Sequence, residues 1–251
     1  MGALHAGHMS LVERSKQKCD VTAVSIFVNP TQFNDTADLA NYPRNTEADL
    51  AMLEKAGADF VFIPTVEGMY PEPDTRVFDF GRLDKVMEGA HRPGHFNGVA
   101  QVVSRLFAII RPDKAFFGEK DFQQLAIVRE LVRQEGLDIE IVGCPIVRES
   151  DGLAMSSRNA LLTPDQRTAA PKIYKAMRDV ADGVHHDGVE KFKQDIIDRI
   201  NADPILDVEY FDVVDARTLE SVGAWEDAGG MRGCIAVRAG KVRLIDNMEI
   251  L

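Results

Sequence analysis

Cysteine is scarce in this chain of 251 residues, which contains only Cys19, Cys144 and Cys234. The three are far apart and form no C-x-x-C pair, so the sequence predicts neither a disulfide framework nor a zinc knuckle. Long apolar runs are also missing, since no stretch approaches the roughly 18 apolar residues that a membrane span needs. The first residues show no basic segment followed by an apolar one, so we expect a cytoplasmic protein without a signal peptide.

Positive charge is in short supply as well. Lysine and arginine number 29 against 40 aspartates and glutamates, which gives a formal net charge of −11. Such an acidic chain is a poor candidate for binding nucleic acid through its phosphates, although a small anion can bind wherever basic groups cluster locally. The sequence contains neither G-x-x-x-x-G-K-[ST] nor G-x-G-x-x-G, which excludes a P-loop enzyme and disfavours a dinucleotide as ligand.

The first three-fifths of the chain alternates two patterns. Short β-branched runs predict buried strands at 21–28, 59–64, 114–118 and 139–147. Helical periodicity predicts helices at 46–57, 98–112 and 121–136. The first of these opens on Thr46, a residue type that caps helices, and closes on Gly57. Alternating strands and helices predict a parallel sheet, in which ligands bind at the carboxyl ends of the strands.

The last hundred residues follow a different order. Two long helical patterns at 164–182 and 189–201 precede predicted strands at 208–215, 234–239 and 241–247. The turn at 239–241 suits a tight hairpin. We therefore predict an α/β protein with a Rossmann-like parallel-sheet domain at 1–146 and a smaller α+β domain at 147–251.

The chain opens with two histidines, His5 and His8, in a glycine-rich segment that leads into a predicted helix. Glycines allow a ligand to approach the backbone closely, and the start of a helix offers unpaired N–H groups to an anion. An ordinary loop with two surface histidines is the alternative. A metal site is another alternative, because histidines three residues apart can share a ligand, but no further ligand stands at a telling spacing.

Polar residues also follow two of the predicted strands. Asn29, Gln32 and Asn34 come directly after the first strand, although a turn set by Asn29 and the following proline would explain them equally well. Lys120 stands at a predicted helix start, where anionic side chains are usually preferred, and a bound phosphate would account for it. Gln124 follows one turn later on the same side of that helix.

Two further loops carry basic groups. Ser156, Ser157 and Arg158 form a suitable phosphate clamp, with a polar loop or helix cap as the alternative. Segment 89–100 carries His91, Arg92 and His95, with a mobile surface loop as the alternative. If the loops converge, the site would suit an anion such as ATP, and its basic groups would be His5, His8, Arg92, His95, Lys120 and Arg158.

Six segments, taken together, resemble the sequence blocks of a known family. They are, in chain order, MGALHAGH, FVNPTQF, YPR, RPGHFNGVAQVV, FFGEKDFQQL and DGLAMSSRN. They resemble the sequence blocks of the pantothenate synthetase family, within the nucleotidylyltransferase superfamily that carries a histidine signature. The resemblance covers essentially the whole chain. It implies an AMP-forming ligase of the coenzyme A pathway that joins pantoate to β-alanine through pantoyl adenylate and releases pyrophosphate.

The resemblance also implies roles for individual residues. His8, His5 and Lys120 would be catalytic, with His8 as the acid that helps pyrophosphate to leave and Lys120 on the phosphates. Gln32 and Gln124 would hold pantoate, and Gln32 would also contact β-alanine. Asp49 would assist Mg²⁺ bound with ATP. ATP would be bound by Met1, Gly2, Ala3, Leu4, His5, Ala6, Gly7, His8, Gly118, Glu119, Lys120, Asp121, Val147, Met155, Ser156, Ser157 and Arg158.

By the same resemblance we expect a cytoplasmic homodimer with no tightly bound organic cofactor and no nucleic-acid or membrane partner. The family pattern has a strand before the histidine motif that this sequence lacks, which would leave a gap inside a parallel sheet. Either translation starts upstream of Met1 or the chain is shortened, and the intact later motifs favour the first explanation. Two other functions are a non-catalytic nucleotide-binding protein and a related nucleotidylyltransferase, the latter disfavoured by the neutral Gln32 and Gln124.

Overall fold

A computed structural model of the chain describes residues 1–34, 36–181 and 188–250. They form two compact units, Met1–Val147 and Arg148–Leu251, and each unit has hydrophobic cores of its own. The division falls one residue after the predicted boundary between 146 and 147. Among the described residues, no helix is long and apolar enough to cross a membrane.

The strands of the first unit form two parallel pairs. Strand β1 (Ala23–Ser25) pairs with β2 (Phe60–Phe62), and β3 (Lys114–Gly118) pairs with β4 (Glu140–Cys144). The parallel arrangement was expected, but in the described part of the chain the strands form two separate pairs where a single sheet was predicted. The predicted span 21–28 is too long at both ends, because only Ala23–Ser25 pair with β2 as a strand.

One helix of the first unit precedes the strands in the chain, and the others lie between them. Helix α6 (His95–Ile110) contributes the largest share of the core, with Phe96, Val99 and Phe107 buried against Ile127 and Leu131 of α7 (Phe122–Gln134). The helices are α1 (Ala6–Lys18), α2 (Thr36–Asn41), α3 (Thr46–Ala56), α4 (Val66–Met69), α5 (Met87–His91), α6 (His95–Ile110) and α7 (Phe122–Gln134).

Helix α3 shows how local chemistry sets a helix boundary. The expected cap, Thr46, is the first helical residue, and Asn45 caps the helix by accepting a hydrogen bond from the N–H of Ala48. An asparagine side chain is among the best acceptors at this position, so it takes the role that was predicted one residue later. Gly57 ends the helix with a left-handed φ of 72°, as predicted.

The second unit packs three helices on an antiparallel sheet. Its helices are α8 (Pro164–Ala169), α9 (Lys172–Ala181) and α10 (Val189–Asn201), and its strands are β5 (Leu206–Asp215), β6 (Met231–Ala239) and β7 (Val242–Glu249). The single helix predicted at 164–182 is wrong, because Pro171 lacks an N–H group and separates α8 from α9. Residue 182 lies outside the described residues. The predicted hairpin between β6 and β7 is confirmed, with Gly240 at a φ of 60°.

Candidate active site

The histidine pair stands at the beginning of helix α1. His5 is the cap residue and His8 lies in the first turn. The centroids of their rings are 4.0 Å apart, and the ring planes are inclined at 39°. The Nδ1 atoms of both rings are buried and find no hydrogen-bond partner among the residues that the structure describes. Buried polar atoms are nearly always paired in folded proteins, so two neighbouring unpaired nitrogens indicate a place for a ligand.

Electrostatics link this pair to Lys120. Burial, the neighbouring His5, the amino group of Met1 and Lys120 together lower the pKa of His8 to about 3. Burial and Lys120 also lower the pKa of His5, against an opposing effect of Asp121. Both rings are therefore neutral at pH 7, and each can donate one hydrogen bond and accept another. The three residues predicted to be catalytic thus act on one another electrostatically.

Asp49 holds the segment that precedes the histidines. Its carboxylate is buried and accepts the N–H of Ala3 at 2.9 Å and the N–H of Leu4 at 2.6 Å. Ala3 has a left-handed φ of 48°, which is uncommon for a residue other than glycine, and these two bonds stabilise it. Met1–His8, the segment predicted to line the ATP site, therefore depends on a side chain of helix α3.

This arrangement does not favour Asp49 as a magnesium ligand. Both of its oxygens already accept backbone hydrogen bonds, and within the described ranges no group of three or more histidine, cysteine or acidic side chains could hold a metal ion. A magnesium ion resident in the protein would need several oxygen ligands in octahedral geometry. The residues present fit a metal that arrives with the phosphates of its substrate better than a metal held by the protein.

The turn after strand β1 is organised by Asn29. This side chain is 2% exposed, donates to the carbonyl of Gly98 at 3.1 Å and accepts the hydroxyl of Tyr70 at 2.8 Å. Its Nδ2 also lies 3.4 Å from the Oε1 of Gln32. Asn29 therefore shapes the short 3₁₀ turn Pro30–Gln32, which agrees with the turn alternative. Gln32 itself is half-buried and follows a strand, as predicted for a substrate contact.

Segment 89–100 is not a loop. It contains the end of helix α5, a short link and the beginning of α6, with His95 and Gly98 buried. Two of its basic groups point to the protein itself, since His95 Nδ1 and Arg92 Nη2 lie 2.8 and 3.4 Å from the carbonyl oxygen of Gln32. Both side chains therefore hold the turn that carries Gln32, and their part in an anion site stays a prediction.

The end of strand β3 carries the next group of predicted residues. Gly118 ends the strand, Glu119–Asp121 form one 3₁₀ turn, and helix α7 follows. Gln123 is buried and structural, since it accepts the N–H of Glu88 and donates to two backbone carbonyls. Gln124 is half-buried, and in the part of the chain that is described its side chain makes no hydrogen bond, which leaves its amide available to a substrate.

The remaining predicted residues lie at or beyond the division between the units. Val147 is the last residue of the first unit, and Met155–Arg158 belong to the second. Ser156 caps the turn Ser157–Leu161 by accepting the N–H of Arg158 at 3.3 Å, which agrees with the helix-cap alternative for this one hydroxyl. Their predicted contact with ATP stays a prediction.

Sequence reasoning missed several polar residues that build the site. Tyr70 holds Asn29, and Arg105 lies over the Tyr70 ring while its Nε donates to the buried Asp74 at 3.0 Å. These residues come from the link after α4 and from α6, and no local pattern connects them.

Comparison with known proteins gives a consistent result. A family model described as pantoate-β-alanine ligase matches residues 1–249. The chain is 56% identical over 249 residues to a pantothenate synthetase of Bacteroides fragilis strain YCH46, covering 99% of this chain and 88% of the relative. It is 53% identical over 252 residues to a pantothenate synthetase of Porphyromonas gingivalis strain ATCC 33277, covering 99% of this chain and 89% of the relative.

Solved structures of similar proteins agree with the fold. A pantothenate synthetase from Thermus thermophilus superimposes with a TM-score of 0.93 at 46% identity, covering 100% of this chain and 91% of the other. A pantoate-β-alanine ligase from Francisella tularensis, complexed with β-γ ATP and β-alanine, gives a TM-score of 0.83 at 34% identity, covering 100% of this chain and 87% of the other. The α/β class predicted from the sequence is thereby confirmed.

Proposed function

The chain belongs to the pantoate–β-alanine ligase family, and we propose that it joins pantoate to β-alanine in an ATP-dependent reaction at the beginning of helix α1. The observation that carries this proposal is a pair of buried ring nitrogens beside Lys120, one each on His5 and His8, that find no hydrogen-bond partner among the described residues. The relatives are named as synthetases or ligases over nearly the whole chain, which supports the ligase and neither of the two alternatives.

The first step forms a P–O bond. A pantoate carboxylate oxygen attacks the α-phosphorus of ATP, the bond to the bridging oxygen breaks, and pyrophosphate leaves. Negative charge moves onto the leaving group, so donors already in place there lower the barrier. Neutral His5 and His8 would donate hydrogen bonds, and Lys120 would supply the positive charge. A bound polyphosphate would favour protonation of His8, which allows it to act as the predicted acid.

The second step forms the amide. The amine of β-alanine attacks the acyl carbon of pantoyl adenylate, AMP leaves, and the amine loses a proton. Catalysis here depends on alignment of the two substrates, because no nucleophile of the protein is needed. Gln32 and Gln124 would hold pantoate through neutral amides suited to its hydroxyl groups, and Gln32 would also contact β-alanine.

The remaining assignments are part of the proposal. ATP would be used as its magnesium complex, with Gly118–Asp121 and Val147 on the nucleotide and Met155–Arg158 on the phosphates. Two hydroxyls and a guanidinium in the last segment suit this task. A cytoplasmic location and a homodimer stay predictions.

An AMP-release assay tests the function directly. The protein is supplied with ATP, magnesium, pantoate and β-alanine, and each is omitted in turn. We expect AMP and pantothenate only from the complete mixture. Replacement of Lys120 by alanine should lower kcat by about 100-fold or more, the range seen when a positioned charge-stabilising donor is removed. Lys55→Ala, an exposed lysine on α3, is the matched control and should leave the rate unchanged. AMP release that does not require pantoate would contradict the proposal.

A further inference from the structure

His95 is the first residue of helix α6 and is 7% exposed. Its ring has a polar partner on each side. The Nδ1 atom lies 2.8 Å from the backbone carbonyl oxygen of Gln32, and the Nε2 atom lies 3.2 Å from Nη1 of Arg92. A histidine placed between these two groups has little freedom in its protonation.

The two partners select one form of the ring. A carbonyl oxygen can only accept, so Nδ1 has to carry a proton. A guanidinium can only donate, so Nε2 has to be without one. The neutral Nδ1–H tautomer alone satisfies both contacts, whereas the Nε2–H tautomer breaks both and the imidazolium turns a second N–H towards Arg92. Consistently, burial and Arg92 lower the pKa of His95 to about 4, against the effects of the Gln32 carbonyl, Glu88 and Asp121.

The carbonyl that His95 holds belongs to the turn that carries Gln32. Arg92 lies near the same oxygen and pairs with Glu88 at 3.4 Å. One helical turn after His95, the carbonyl of Gly98 accepts the amide of Asn29 at 3.1 Å. The first turn of α6 therefore fixes both ends of the segment 29–32. The carbonyl of Gly98 holds the side chain of Asn29, and His95 holds the carbonyl of Gln32.

We propose that His95, in its neutral Nδ1–H form, is a positioning residue that fixes the backbone of Gln32 and so directs the Gln32 side chain towards pantoate. The proposal rests on the proposed function, in which Gln32 binds pantoate. His95 acts through a protein carbonyl and needs no contact with the substrate. Its loss should therefore weaken pantoate binding and leave ATP binding largely intact.

A pair of substitutions separates the two ring nitrogens. In His95→Asn the side-chain amide lies near the position of Nδ1 and can donate to the Gln32 carbonyl. In His95→Gln the amide reaches the position of Nε2, so the donor to Gln32 is lost. We expect His95→Gln to raise KM for pantoate about tenfold, the equivalent of one lost buried hydrogen bond, with KM for ATP nearly unchanged. His95→Asn should stay within about threefold of the unchanged protein.

A second measurement is made on the unchanged protein and does not depend on activity. Long-range ¹H–¹⁵N correlation spectra of the unchanged chain distinguish the Nδ1–H tautomer, the Nε2–H tautomer and the imidazolium, and His95→Asn identifies the His95 signals. We expect the Nδ1–H tautomer at pH 7. Either of the other two forms would overturn the proposal.

The outcomes separate this inference from the proposed function. Absence of AMP release by the unchanged protein would count against the ligase, while the spectrum would still decide whether His95 donates to Gln32. An active protein in which His95→Gln and His95→Asn have equal KM values for pantoate would contradict the positioning role. A rise in KM for ATP as large as that for pantoate would do the same.

Discussion

The carboxylate of Asp49 accepts the backbone N–H of Leu4 at 2.6 Å, and its second oxygen accepts the N–H of Ala3 at 2.9 Å. A single buried side chain on helix α3 thereby fixes the segment that leads into the histidine pair. Hydrogen bonds to an ionised acceptor are about twice as strong as neutral ones, which suits a segment that has to keep a left-handed residue in place.

Asp49→Asn tests this relationship. The asparagine keeps one acceptor and places an NH₂ group against a backbone N–H, so we expect a loss of about 1.5–3 kcal/mol in the free energy of unfolding and a raised KM for ATP. Denaturant unfolding and steady-state kinetics measure both, with Glu54→Gln on the exposed face of the same helix as control. Unchanged stability combined with a higher magnesium requirement would indicate a metal ligand instead.

Gly98 is a second point at which the site depends on a close backbone contact. A Cβ atom at this position would lie 2.4 Å from the carbonyl oxygen of Thr31 and 2.8 Å from the nitrogen of Gln32. Gly98→Ala should therefore displace the Gln32 turn, raise KM for pantoate and lower the free energy of unfolding by about 1–3 kcal/mol. Gly229→Ala is the control, because a Cβ there meets nothing within 4 Å. Equal behaviour of the two variants would show that the turn adapts.

The lowered pKa of His95 predicts a dependence of stability on pH. In the unfolded chain the histidine titrates near 6.5, and in the folded protein near 4. Between these values the unfolded chain binds the extra proton, so the contribution to stability is full above pH 6.5 and is lost as the pH falls towards 4. Subtracting the free energies of unfolding of His95→Asn from those of the unchanged protein should give a difference that falls by about 3 kcal/mol across this window. A constant difference would contradict the prediction.

In the second unit, Arg148 holds the segment that leads to Met155–Arg158. Its guanidinium pairs with both oxygens of Asp246 at 2.6 and 3.0 Å and also donates to the carbonyl of Gly152. Asp246→Ala leaves the guanidinium of Arg148, whose side chain is 17% exposed, without its carboxylate partner and should cost about 3–5 kcal/mol. The exposed pair Arg178–Asp179 is the control, and Asp179→Ala should change stability by less than about 1 kcal/mol. Similar losses in both variants would refute this view of Arg148.

The order of elements could be predicted because it is written in local periodicity. The apolar stripe of α7, with Leu125, Val128 and Leu131 buried, appears in the sequence as a repeat of three residues. Positions set by the chemistry of neighbouring residues could also be predicted, such as Gly57 at the end of a helix. Where two local signals compete, the prediction shifted by a residue, as with Asn45 and Thr46.

The parts that could not be predicted depend on contacts between distant residues. Nothing near Asp49 in the sequence shows that it accepts two N–H groups from residues 3 and 4. The sequence alone presents His95 as a free basic group because its partner, the Gln32 carbonyl, lies 63 residues away along the chain. Basic residues in a glycine-containing segment resemble an anion site until the fold shows that His95 and Arg92 lie against the backbone carbonyl of Gln32.

The central claim is that a pantoate oxygen attacks the α-phosphorus of ATP at the histidine pair. The most direct test supplies pantoate labelled with ¹⁸O in its carboxylate and determines the isotope content of the products by mass spectrometry. Formation of an adenylate predicts that AMP carries one ¹⁸O atom for each pantothenate formed, because that oxygen stays on phosphorus when the amine displaces AMP. Unlabelled AMP, or label in inorganic phosphate, would contradict the account.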